Sequence, residues 1–357
     1  MMLFMIKNLR RERLCNLGLG ERLLRNAHWL GRMCLLLCVS GCTPGEQANT
    51  PLRIGLNAWP GYEFLYLAQE KGFFQQEGVR VELVELASLA DTRRAYERGL
   101  IDGFGTTLID TLQARHFRTP GPQVVWVADY SDGADIIVAG SGIQDMKGLK
   151  GKRVGVEMVS LGVYILSQAL EKSGMGLKDV EPIYQDQTSM ASSLLSGALD
   201  AIVTYPPTSI ALQKQGHLKT LFSSSDLPGE VVDVLSIDTE ILNKRGKDVQ
   251  KLLKAFSQAV SYSKAKPEEA YRIMASREGV TAAEFSEAIE RGMVIVTEEQ
   301  QMDFLSPDGK LGKIIQRVNS VMRQVQMISG PERLIDSYSS AYLPQAKLSS
   351  HVAVTGK

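Results

Sequence analysis

From Leu52 onward the chain alternates short strand-forming runs with helical segments, and no other feature restricts its fold so far. Residues 53–56 read as a short strand. Residues 64–74 carry apolar side chains at helical spacing, with a stop at Gly78, and 79–85 alternate as a strand. Helix then follows at 91–98, strand at 102–106, helix at 108–115 and a buried-strand run at 124–128. Strands interleaved with helices of this length predict parallel βαβ units, and therefore an α/β protein.

The pattern restarts with strands at 136–139, 153–156, 201–204 and 231–237, helices at 161–172 and 191–197, and a basic turn at 146–152. Beyond 237 the chain reads as nearly all helix, at 249–265, 267–277, 281–291, 311–327 and 331–338. Thr281 with Glu284 forms a capping box. Pro267 followed by Glu268 and Glu269 suits a first helical turn. There is no repeat of solenoid length.

The N-terminal region reads differently. A basic stretch (Arg10, Arg11, Arg13, Arg22, Arg25, Arg32) precedes the apolar run 33–38, which ends in Val39-Ser40-Gly41-Cys42. A basic region, a short apolar core and small residues before a cleavage point describe a secretory signal. A cysteine after two small residues resembles a bacterial lipobox, in which that cysteine receives lipid and begins the mature chain. An ordinary signal peptide that happens to contain Cys42 is the alternative. The apolar run is too short for a membrane-spanning helix, which needs about 18 residues or more. Residues 43–51 (TPGEQANTP) read as a flexible tether.

Composition narrows the function. Hydrophobic content of 44% and charged content of 22% suit a globular protein with a sizeable core. Seven bases against two acids in residues 1–42 leave the remainder about five charges negative, so there is no basic footprint for nucleic acid. All four cysteines (Cys15, Cys34, Cys38, Cys42) lie in that leader, which excludes a disulfide scaffold or a cysteine-based metal site in the mature chain. His116, His217 and His351 are widely separated, and no H-E-x-x-H, G-x-S-x-G, Walker A or complete G-x-G-x-x-G pattern occurs. No catalytic residue, metal or cofactor is expected.

Four segments in order carry a resemblance: 54–62 (IGLNAWPGY), 68–74 (AQEKGFF), 149–156 (LKGKRVGV) and 197–201 (GALDA). Together they resemble solute-binding proteins of ABC importers, in the nitrate/sulfonate/taurine and thiamine-precursor group, over residues 52–345. The resemblance implies a two-lobed type II periplasmic-binding-protein clamshell with C-terminal helices. Its parts would be a lipoprotein signal at 1–41, the tether at 42–51, a discontinuous first lobe at 52–130 plus 232–345, a second lobe at 131–231 and a disordered tail at 346–357. Hinges are implied near 129–134 and 229–233. The implied partners are a small-molecule ligand and an ABC permease, with the membrane reached only through a lipid on Cys42. The implied setting is the periplasmic side of a bacterial envelope, as a monomer. A sensing protein that reports to a membrane receptor has the same sequence features. Some relatives of the fold synthesise a pyrimidine, and the export signal argues against that here.

In open α/β sheets ligands bind beyond the carboxyl ends of strands, where helix N-termini point unpaired N–H groups at them. That rule selects residues 57–63, 87–91, 105–110, 157–162 and 204–208. Trp59 and Tyr62 are loop aromatics beside Asn57, set to stack on a ligand or to plug their own lobe. Glu63 either meets a ligand cation or serves a helix N-terminus. Ser88, Thr106, Thr107 and Ser160 are hydrogen-bond donors or helix caps. Gly162 permits close backbone approach, and Tyr205 is either the second lobe's ligand-facing aromatic or a packing residue. Asp132 and Asp135 at the first hinge read as solvated turn residues, with Asp132 kept as a candidate contact beside Glu157. None of these loops contains Lys or Arg, while rings and carboxylates abound. The expected ligand is a neutral or cationic nitrogenous organic molecule rather than a sulfonate.

Overall fold

The computed structural model describes residues 50–344. The leader, the lipobox with Cys42, and the tail 346–357 lie outside the described residues.

Two mixed sheets carry the molecule. The first holds β1 (Leu52–Leu56), β2 (Val81–Glu85), β3 (Gly103–Thr107), β4 (Gln123–Ser131), β10 (Val232–Ile237) and β11 (Met293–Ile295), in the order β11-β4-β10-β3-β1-β2. In it β1 runs parallel to β2 and β3, while β10 is antiparallel to both β3 and β4. The second holds β5 (Ile136–Ala139), β6 (Arg153–Val156), β7 (Glu181–Tyr184), β8 (Ala201–Thr204) and β9 (Lys219–Ser223), in the order β7-β6-β8-β5-β9. Strands β1, β3, β5 and β8 are almost wholly buried, as expected of strands covered by helices on both faces.

The helices are α1 (Glu63–Glu70), α2 (Phe73–Glu77), α3 (Leu89–Glu97), α4 (Leu108–Phe117), α5 (Leu161–Lys172), α6 (Gln187–Leu195), α7 (Thr208–Gln213), α8 (Thr239–Ala265), α9 (Pro267–Glu278), α10 (Ala282–Gly292), α11 (Gln301–Leu305) and α12 (Lys310–Gln324). The helical run expected over 64–74 is two helices, because Gly72 turns left-handed at φ 73° and breaks it. Trp126 of β4 lies 5.6 Å from Phe256 of α8, which lies 6.2 Å from Phe64 of α1, so ring packing welds the C-terminal helices to the first sheet.

The helix expected over 331–338 does not form. Arg115, buried at the end of α4, donates to the carbonyls of Arg333, Ile335 and Asp336, and Val124 N–H bonds the Ser337 carbonyl. Those acceptors are committed to a guanidinium and a strand edge, so the segment stays irregular, with a turn at 335–336.

The chain leaves the first sheet between Ser131 and Ile136 and returns between Ser223 and Val232. The two passages are bonded together. The Ser131 and Ser224 hydroxyls are 2.7 Å apart, Ser224 N–H donates to the Asp135 carbonyl, and Gly133 N–H donates to Ser224 Oγ. The residue before β11 buttresses the first passage, since the Gly292 carbonyl accepts from Asp132 and Ala134.

Candidate functional site

The carboxyl end of β1 delivers Asn57, and the chain then folds into a tight loop closed by Tyr62 N–H on the Trp59 carbonyl. Gly61 is required there. A Cβ at that position would sit 1.8 Å from Asp129 Oδ2. The loop therefore lies directly on Asp129, and Trp59 Nε1 donates to both of its oxygens at 3.3 Å. Tyr62 donates its hydroxyl proton to Asp233. Asp129 on β4 and Asp233 on β10 face each other across the antiparallel pair, and both are fully enclosed.

The second sheet supplies the opposite wall. Glu157 and Ser160 follow β6, and Tyr205 follows β8. Tyr205 presents its ring edge-on to Trp59 at 6.2 Å between centroids, and its hydroxyl reaches Glu157 Oε2 at 3.4 Å. The space so enclosed is bounded by Asn57, Trp59, Tyr62, Thr107 and Asp233 on one side and Asp135, Leu161 and Tyr205 on the other. Its free volume is about 10 Å³, room for about one water. A wider groove of about 1100 Å³ runs along α8 past Lys251, Lys254 and Tyr262. It opens to solvent, and two of its lysines are already engaged, Lys254 by Glu77 and Lys251 by the Gly78 carbonyl. The enclosed acid-lined space is the stronger candidate.

The chemistry there is dominated by acids. Asp110, Asp129, Asp135, Glu157 and Asp233 are all buried. Burial pushes Asp135 and Glu157 up to about 7, because a charge there loses its water. Burial also raises Asp129, though Trp59 pulls it back, and raises Asp233 well above the carboxylate range, with the neighbouring Asp129 charge adding to the effect. Two acids held this close retain a proton between them. Asn57 Oδ1, Asp135 Oδ2 and Glu157 Oε1 are buried acceptors without a hydrogen-bond donor. Such groups are costly to leave unmatched.

Of the residues singled out in the sequence, Asn57, Trp59, Tyr62, Thr107 and Tyr205 converge on this space. Glu157 and Ser160 stand at its edge. Ser88 lies beside Glu157, but its one proton goes to Asp91 Oδ2 at 2.9 Å while it caps α3. Thr106 is buried on β3, its hydroxyl unpartnered. Gly162 packs in the first turn of α5 against β6 and β8. Glu63 turns away and pairs with Arg277 at 3.1 Å, whose guanidinium also covers the Tyr66 ring; burial raises this acid to about 8. Asp132 is exposed on the outside of the first passage.

Asp135 corrects the solvated-turn reading, being only 1% exposed, with its N–H donating to Ser131 Oγ at 3.3 Å. Asp129 and Asp233 were not singled out as contacts. Their signal was an acid inside an apolar strand run (VVWVADY, VVDVLSI), where a charge is rarely buried without purpose. Arg93 was missed because it sits in mid-helix and reaches Asp110 along α3.

Comparison with known proteins gives these features a family. A "Putative binding protein" of Brucella abortus (strain 2308) is 28% identical over 268 residues, covering 70% of this chain and 79% of its own. The 4-amino-5-hydroxymethyl-2-methylpyrimidine phosphate synthase THI13 of Saccharomyces cerevisiae is 25% identical over 58% of this chain and 65% of its own. Among solved structures, the periplasmic aliphatic sulphonate binding protein SsuA of Escherichia coli superposes with a TM-score of 0.66 at 19% identity, covering 80% of this chain and 91% of that one. The likeness is one of fold, that of periplasmic binding proteins. The NMT1/THI5 like family model matches residues 59–270, more than half of the sequence, and the chain belongs to that family.

Proposed function

We propose that this is an extracytoplasmic solute-binding protein that closes two lobes over a small nitrogenous ligand and delivers it to an ABC importer. The observation that carries the reading is the set of buried acceptors without donors, Asn57 Oδ1, Asp135 Oδ2 and Glu157 Oε1, gathered around the Trp59–Tyr205 pair. A ligand that answers them brings N–H donors and a flat face for the rings, and a positive charge on it would be matched by the acids. Closing over such a ligand lets it touch both walls, so it prefers the closed state. With room for about one water, the closed space admits an organic solute only as the lobes part.

The moving bodies in this proposal are residues 52–130 with 232–345, and residues 131–231, flexing where the Ser131–Ser224 clasp joins the two passages. Cys42 is the proposed lipid attachment, which would hold the protein at the cell envelope; metabolic labelling with a palmitate analogue, lost in Cys42→Ala, tests it.

Titration calorimetry of the purified protein against a pyrimidine set, taurine and alkanesulfonates tests the ligand class. A binding pyrimidine or related amine supports it, and tight sulfonate binding removes it.

A further inference from the structure

We infer that Asp110 is a specificity-determining residue, which keeps anionic solutes out of the cleft by filling the anion position at the start of α5 with its own carboxylate. The inference rests on the proposed ligand cleft and extends it.

Helix α5 begins LGVYILSQALEK, with no acid in its first turn, and Ser160 at its N-cap makes no side-chain bond within its own helix. A helix start with free N–H groups and a positive dipole end attracts an anion. Here the anion comes from the opposite wall. Ser160 Oγ donates to both Asp110 oxygens at 3.0 Å, and the Leu161 amide bonds the same carboxylate. Thr107 Oγ1 donates to it at 2.8 Å.

A second, independent observation points the same way. Arg93 is 6% exposed and its Nη1 donates to Glu97 at 2.7 Å, but its Nε has no hydrogen bond and lies 3.7 Å from Asp110 Oδ1. Two hydroxyls, an amide and a buried guanidinium thus surround one position, a donor set that suits an oxyanion. The protein's own carboxylate occupies it. Thr107 and Leu161 also line the enclosed space, so an arriving sulfonate would meet Asp110 at this point. It would face the buried Glu157 as well.

The test is calorimetry of the full-length protein with methanesulfonate and taurine, on wild type, Asp110→Asn, Asp110→Ser and Ser160→Ala. Wild type is expected to bind methanesulfonate only weakly, at about millimolar or worse. Both Asp110 variants should bind methanesulfonate roughly tenfold tighter or more, the scale of one charge-assisted contact. Adding Arg93→Gln to Asp110→Asn should erase the gain. Ser160→Ala keeps the carboxylate and should show none. Micromolar sulfonate binding by wild type overturns the inference without any variant. So does either Asp110 variant that melts cooperatively yet gains nothing, the result a purely structural role for Asp110 would give.

The pyrimidine set, titrated into the same wild-type protein, separates this inference from the one it rests on. If no pyrimidine binds but Asp110→Asn gains methanesulfonate, the role of Asp110 stands and the nitrogenous ligand falls. A pyrimidine that binds, with no sulfonate gain in the variants, removes only the role of Asp110.

Discussion

At the scale of single residues the site is a problem of burying acids. Gly61 shows how tightly it is solved, since its missing side chain is what allows the Trp59 loop to rest on Asp129. Gly61→Ala should displace that loop and cost about 1–3 kcal/mol, the usual range for overpacking. Urea unfolding together with the Trp59 emission maximum would report it; an unchanged spectrum and midpoint would contradict the contact. Protonation is the second consequence. Asp135 and Glu157 titrate near 7 in the folded protein, against 3.8 and 4.5 for the free groups, because burial disfavours their charge. An acid raised in the folded state adds stability when protonated. That contribution is complete below about pH 4 and is lost as pH rises through about 7. The melting temperature should therefore fall between about pH 4 and 7, with each acid accounting for about 3–4 kcal/mol. Glu157→Gln should flatten the profile, and parallel profiles for wild type and variant would contradict the burial argument. Little of this was legible in the sequence. Trp59, Tyr62 and Tyr205 stand out because loop aromatics are rare. Asp129 and Asp233 make sense only as a cross-strand pair, and sequence separation hides such pairs.

At the scale of elements, the legible parts were those whose burial is decided locally. Strands β5, β6 and β8 and helix α5 occupy the residues that apolar patterning marks for them. Strands β7 and β9 went unread, because EPIY and KTLFS are half-exposed edge strands with weak patterns, one of them containing a proline. The segment 331–338 failed for a different reason. Its helical propensity is overridden by a guanidinium more than 200 residues away in the sequence. Arg115→Ala should leave those carbonyls and the strand edge unsupported, at a cost of about 2–4 kcal/mol. Hydrogen exchange read by mass spectrometry should show the loss of protection concentrated at 331–339 and the start of β4. A uniform change across the protein would contradict a local anchor.

At the scale of the whole molecule, two sheets meet through contacts that each need the other. Ser160 reaches Asp110, Tyr205 meets Trp59, and Glu230 on the return passage binds Tyr164 of α5 at 2.7 Å and Arg317 of α12 at 2.6 Å. Lys214 of α7 pairs with Glu284 of α10 beside Gly133 and Ala134 of the first passage. These polar and edge contacts sit beside a buried apolar cluster that runs through both sheets. The alternation of strands and helices foretold two α/β halves. What lies between them depended on residues whose meaning appears only when the halves face each other.

Native mass spectrometry of freshly purified protein, with exact mass determined for any small molecule it releases, tests the central claim most directly. The account predicts a nitrogen-bearing solute rich in N–H groups, carried by wild type and lost from Glu157→Gln and Trp59→Ala. A sulfonate or other oxyanion released from wild type would contradict it.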